Sequence, residues 1–191
     1  MAALAWLVVF SPQMAIWQVL YGRAFAVPQG PSFMQWLAPH PLAVLLSTNH
    51  GLFSWAPLLV VSVAGLAVWA FRHRSMALPL AVVGLASWYV NAAVADWWAG
   101  EAFGARRFLS LFPLFVVGTA TWLQAPESPA VARTRRVWVV LALVFANLLL
   151  LLQYELFMKG LTSVASYPSG WFGLFVERFV VPFRLIAWWL E

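Results

Sequence analysis

The stretch Val137-Trp138-Val139-Val140-Leu141-Ala142-Leu143-Val144-Phe145-Ala146-Asn147-Leu148-Leu149-Leu150-Leu151-Leu152-Gln153-Tyr154-Glu155-Leu156-Phe157 decides the fold class. A helix of about 20 mostly apolar residues crosses the hydrocarbon core of a bilayer. This run has that length, and Leu148 to Leu152 is unbroken at its centre. A lipid-facing β-strand would alternate over about ten residues, and this run does not alternate. In lipid every backbone N–H and C=O needs an internal partner, which a helix supplies.

Four further stretches share this character, at residues 2–21, 52–71, 76–95 and 108–124. With 137–157 they predict an all-α fold, a polytopic transmembrane helix bundle of five spans in one domain covering 1–191. Ser11-Pro12-Gln13 interrupts the first span, and Pro57, Pro79 and Pro113 fall within or near others. Membrane bundles accept proline because neighbouring groups satisfy the carbonyl it frees. Small residues at Ala64/Gly65, Gly84/Ala86 and Ala92/Ala93 read as close helix packing, and Asn91 and Asn147 as interhelical hydrogen bonds. Residues 171–190 are expected to form a helix in the membrane interface, with Trp171, Trp188 and Trp189 at headgroup level. A sixth span is the alternative. It is opposed by Glu177, Arg178 and Arg184, because a central charge costs at least about 2.5 kcal/mol.

Composition agrees. Of 191 residues, 64% are hydrophobic and 9% charged, against about a quarter charged in soluble domains. So few charges cannot cover a water-facing surface, which makes the lipid bilayer the first partner. The formal charge is +5, but the arginines stand at the ends of apolar runs, at Arg72/Arg74, Arg106/Arg107 and Arg133/Arg135/Arg136. That placement is an orientation signal, not a nucleic-acid stripe, and nucleic acid is excluded as a partner. There is no cysteine, which removes disulfides, thiolate catalysis and cysteine metal sites. The histidines His40, His50 and His73 are isolated, so no metal-ligand spacing appears and no cofactor is evident. The chain starts inside a hydrophobic segment with no basic leader.

The two compact basic loops, Arg72-His73-Arg74-Ser75 and 125–136, are expected in the cytoplasm by the positive-inside rule. The long loops 22–50 and 96–107 and the tail after Lys159 then face outward. Raw arginine and lysine totals do not decide this, because Arg23, Arg106, Arg107, Lys159, Arg178 and Arg184 fall on the outer side.

Three outer segments hold candidate chemistry. Asp96-Trp97-Trp98-Ala99-Gly100-Glu101-Ala102-Phe103-Gly104-Ala105-Arg106-Arg107-Phe108 gathers two acids, two arginines and two tryptophans. Guanidinium matches phosphate oxygens in a two-pronged way, and the indoles offer stacking faces for a sugar or an isoprenoid. The same residues also suit an interfacial aromatic belt with arginine anchors. Ser47 to Pro57 contains His50, a phosphate ligand or proton carrier on one reading and an interface cluster on the other. The segment from Tyr21 to Pro31 offers Arg23 and Gln29.

The ordered set Tyr21-Gly22, Val27-Pro28-Gln29-Gly30, His50-Gly51-Leu52-Phe53-Ser54-Trp55-Ala56-Pro57 and Gly100-Glu101-Ala102-Phe103-Gly104-Ala105-Arg106-Arg107-Phe108 resembles the C-terminal half of bacterial GT-C membrane glycosyltransferases. These are relatives of the dolichyl-phosphate-mannose–protein mannosyltransferases with the RgtA/B/C/D-like domain. The likeness runs from about residue 5 to residue 125. It implies a polyprenyl-phosphate-linked sugar as partner, transfer to an acceptor outside the cytoplasm, and residence in the bacterial inner membrane. It also implies a catalytic acid in a preceding half, with room there for a divalent metal, so the chain is expected to be part of a larger enzyme. No catalytic residue is carried over. The substrate-side candidates are Arg106 and Arg107, then His50 and Arg23, with Glu101, Asp96, Trp97 and Trp98 in the same loop. A non-enzymatic scaffold or assembly subunit and a transporter or flippase component are the competing classes.

Overall fold

The computed structural model describes residues 2–26, 28–98, 102–124 and 130–190, apart from the side chains of Ala2, Ala3, Pro31 and Ala130. Among these residues the chain is helical and has no strand. Its contacts divide it into two compact units, Met1–Gln35 and Trp36–Glu191.

The first unit holds α1, Ala2–Tyr21. Its helix runs unbroken through Pro12, where the sequence suggests an interruption. Proline cannot donate to the carbonyl four residues back. That carbonyl belongs to Val8, and the Ser11 hydroxyl donates to it at 2.9 Å. The side chain before the proline thus replaces the missing backbone bond. Trp6 stacks on Phe10, and Phe10 meets Trp17 edge-on. After α1 the chain is irregular apart from one 3-10 turn at Pro31–Phe33.

The second unit contains the short helices α2 (Ala43–Leu46) and α3 (Leu52–Trp55), then α4 (Leu58–Arg72) and α5 (Arg74–Ala92). A 3-10 segment, Arg106–Leu111, leads into α6 (Phe112–Leu123). The chain closes with α7 (Ala130–Met158), α8 (Gly170–Phe175) and α9 (Glu177–Leu190).

Three described helices are long and apolar enough to cross a membrane, within α1, α5 and α7. The sequence reading expects five spans. The second is split at Ala56, whose φ of −132° and ψ of 73° leave the helical region. The residue before a proline is driven out of that region by the ring, and Pro57 follows. The fourth opens as a 3-10 segment and becomes α-helical only at Phe112, with Pro113 in its first turn. The 171–190 segment is likewise two helices, α8 and α9, separated at Val176.

The tightest seam joins α4 and α6. At Gly65 an added Cβ would lie 1.9 Å from the Gly118 carbonyl oxygen, and at Gly118 it would lie 1.9 Å from the Ser62 carbonyl oxygen. The backbones touch, which only glycine permits. Beside the crossing the Ser62 and Thr119 hydroxyls lie 2.7 Å apart, and each is also within reach of a carbonyl of its own helix; with one proton apiece, one hydroxyl donates to the other, which donates back into its helix. Ser62 pairs with Thr119, and Gly65 lies against Trp122, so α4 and α6 run parallel. Arg136, near the start of α7, donates to the Trp122 carbonyl and stacks over its ring. Tyr154, near the end of α7, packs against Trp55. The helix α7 is therefore antiparallel to both. Asn91 bonds the Ser87 carbonyl of its own helix and not a neighbouring helix as the sequence reading expects.

This arrangement gives the second unit two ends. The Ser47–Pro57 turn, the start of the 3-10 segment and the loop after α7 meet at one end. The α4–α5 turn and the first turns of α7 lie at the other.

Candidate functional site

The turn between α2 and α3 is built from its own side chains. The Asn49 N–H donates to the Ser47 hydroxyl, the Ser54 hydroxyl to the Leu46 carbonyl, and the Trp55 indole N–H to the Thr48 carbonyl. Gly51 is required here, because a Cβ would sit 2.4 Å from the Ser47 carbonyl oxygen. These bonds force His50 to a φ of 61°, a left-handed conformation that side chains rarely adopt. Such strain persists only where the surroundings over-determine it, and they do here. His50 is 2% exposed and Trp55 is 1% exposed. Their rings stack at 4.3 Å.

The His50 Nδ1 lies 3.1 Å from the Asn49 side-chain oxygen, and its Nε2 lies 3.3 Å from the Tyr167 hydroxyl. A neutral ring with its proton on Nδ1 fits both contacts, the tyrosine donating to Nε2. Burial pushes the His50 pKa down from its ordinary value, which favours the same neutral form. Phe103, Tyr154 and Tyr167 enclose Trp55. Tyr167 carries no signal in the sequence that singles it out, since its partner stands 117 positions away.

In the neighbouring loop Arg107 is committed. One guanidinium nitrogen donates to the Asp96 carbonyl and another to its carboxylate, both at 2.6 Å. This two-pronged grip ties the loop after α5 to the 3-10 segment and leaves neither partner wholly available to a ligand. Trp97 is half-buried against His40 and the apolar cluster around Phe108, while Trp98 is exposed. Glu101 lies outside the described residues. Arg106 is exposed, and its guanidinium has no hydrogen bond or ion pair with any described residue.

Beside the 3-10 segment the bundle is apolar and open. A cavity of about 360 Å³ runs along α4 and α6, lined by Leu58, Leu59, Phe112, Phe115 and Ala120 with the Ser62–Thr119 pair as its polar spot. A smaller pocket of about 100 Å³ connects this lining to Ala105 and Leu109 in and beside the 3-10 segment. Phe115 lines both, and also a third cavity of about 210 Å³ that reaches Gly84 and Trp88 on α5. Arg23 belongs to the first unit, where it borders a separate aromatic groove with Trp6, Phe10, Trp17 and Phe25.

A second polar cluster joins α7 to α8 and α9. Gln153, fully buried, donates to the Ser166 and Gly173 carbonyls. Arg178 is 1% exposed, donates to the Leu174 and Ala146 carbonyls, and lies over Phe175. The Glu177 carboxylate accepts from the Ser166 hydroxyl at 2.6 Å and from Arg184 at 3.0 Å. The charges that oppose a sixth span are thus held against the bundle by internal partners. Among the described residues no three His, Asp or Glu side chains converge as metal ligands do.

Comparison with family models, with curated proteins and with solved structures finds no match.

Proposed function

We propose that the chain is the membrane portion of a glycosyltransferase that takes a sugar from a polyprenyl-phosphate carrier and passes it to an acceptor outside the cytoplasm. One observation carries this reading: exposed Arg106, whose side chain has no described partner, lies in the 3-10 segment between Ala105 and Leu109, which border the apolar pockets along α4 and α6. A prenyl phosphate has a matching form, one anionic head on a long apolar tail. Its phosphate gains charge as the sugar leaves, and a fixed cation stabilises that charge. Arg107 contributes by holding the 3-10 segment against Asp96. Trp98, exposed in the same loop, offers a stacking face for the sugar.

In this reading α3 with α4, and the 3-10 segment with α6, each complete a crossing of about 20 residues, which restores five spans. The helices α8 and α9 lie in the outer interface, with Trp171, Trp188 and Trp189 exposed to headgroups. The scaffold alternative draws on His50, Arg107 and Asp96, which are all engaged in internal contacts.

Binding of a photoreactive polyprenyl phosphate to the chain in nanodiscs tests the proposal. Arg106→Ala should weaken labelling about ten-fold, as loss of a charge-assisted hydrogen bond of about 1.5 kcal/mol would. Ala120→Trp, which fills the groove, should abolish labelling within it. Wild-type labelling in both variants would refute the reading and favour the scaffold.

A further inference from the structure

The cations of the second unit are not equally free. Arg107 is paired with Asp96 and Arg184 with Glu177. Arg178 is buried, and Arg136 is spent on the Trp122 carbonyl and ring. What remains exposed and without a described partner is uneven. Arg72, Arg74, Arg133 and Arg135 lie at one end, and Arg106 and Lys159 at the other.

The four arginines share an end because of the helix directions. Gly65 and Trp122 are level at the α4–α6 seam, and Arg136 is level with Trp122. Arg72 lies two turns beyond Gly65, about 10 Å at 1.5 Å per residue. Arg133 lies one turn beyond Arg136 in the same direction, because α7 is antiparallel. No described carboxylate stands at this end. The patch is rimmed by exposed apolar side chains on the same helices, namely Phe71 on α4, Met76 on α5, and Val131 and Trp138 on α7.

We propose that this end is a docking surface for anionic phospholipid headgroups. A phospholipid is the occupant because it meets both parts of the surface at once, its phosphate on the arginines and its acyl chains on the rim. A soluble anion would meet only the cations. Each arginine near an anionic membrane surface contributes on the order of a five-fold gain in attraction, and the attraction falls as salt screens it. The surface lies at the opposite end from Arg106 and needs no glycosyltransferase activity to exist.

The full chain is placed in nanodiscs of mixed phosphatidylcholine and phosphatidylglycerol, and the lipids it retains on release are identified by native mass spectrometry. The wild type should retain phosphatidylglycerol preferentially. The variant Arg72→Gln/Arg74→Gln/Arg133→Gln/Arg135→Gln should lose that preference by about ten-fold or more, with an unchanged helical circular-dichroism spectrum. Lys159→Gln, at the other end, should keep it. Raised salt should weaken the preference in the wild type, which gives a readout independent of the variants. The proposal fails if the wild type shows no preference, if the four-fold variant keeps it, or if inorganic phosphate stabilises the chain against heat as well as phosphatidylglycerol does.

Discussion

His50 shows how much a single residue can be asked to tolerate. It accepts a left-handed backbone, gives up its contact with water, and gains a stacked indole and two hydrogen-bonded neighbours. Its pKa is lowered by burial, so the folded chain binds the proton less well than the unfolded chain. The stability that comes from burying a neutral ring is fully present above the ordinary value of 6.5. It is lost as pH falls below that value toward the depressed one. Thermal unfolding followed from about pH 8 to about pH 5 should show a falling midpoint in the wild type. His50→Gln, which cannot titrate, should unfold earlier at neutral pH and lack this part of the slope. A slope equal in both would mean that another group controls the acid limb. The sequence marks His50 as a candidate, but not its burial. That depends on Tyr167 arriving from beyond α7, and no local pattern encodes such a pairing.

At the scale of elements, the glycines sort by surroundings that spacing alone does not reveal. Gly65 and Gly84 both sit inside apolar helices and both read as small packing residues. Gly65 has the Gly118 backbone against it, whereas Gly84 has nothing within 4 Å of an added Cβ. Gly65→Ala should therefore destabilise by about 1–3 kcal/mol through overpacking. Gly84→Ala should be neutral or stabilise by up to about 1 kcal/mol through helix propensity. Denaturant or thermal unfolding in detergent checks both, and equal effects would contradict the α4–α6 seam. Element existence and type are legible from the apolar runs, and α1, α5 and α7 appear where the runs place them. The two remaining runs are broken where proline restricts its predecessor or opens a helix, at Ala56–Pro57 and at Phe112–Pro113. Hydropathy does not register such breaks, because alanine, phenylalanine and proline leave the run apolar.

At the scale of the molecule, the sequence supplies charge but not its availability. Counting arginines leaves orientation undecided. Pairing distinguishes the two ends, since Asp96 and Glu177 take up Arg107 and Arg184 while no described carboxylate pairs with the cations at the Arg72 and Arg133 end. The candidate site follows the same pattern. Arg106 and Arg107 are neighbours in sequence and indistinguishable there, yet one faces solvent and the other is locked to Asp96. The apolar groove beside the 3-10 segment is invisible in sequence, because Leu58 and Ala120 share a lining only through the parallel seam of α4 with α6.

The central claim is that the helices cross a bilayer with the Arg72/Arg133 end and the Tyr167 end on opposite sides. The chain has no cysteine, so single cysteines can be introduced without background. Ser75→Cys, in the first turn of α5, and Arg135→Cys report one end, and Ser163→Cys, in the exposed loop before Tyr167, reports the other. In intact cells a membrane-impermeant maleimide is expected to label Ser163→Cys at once, and Ser75→Cys and Arg135→Cys only after the membrane is opened. Labelling of all three from the same side would contradict the claim.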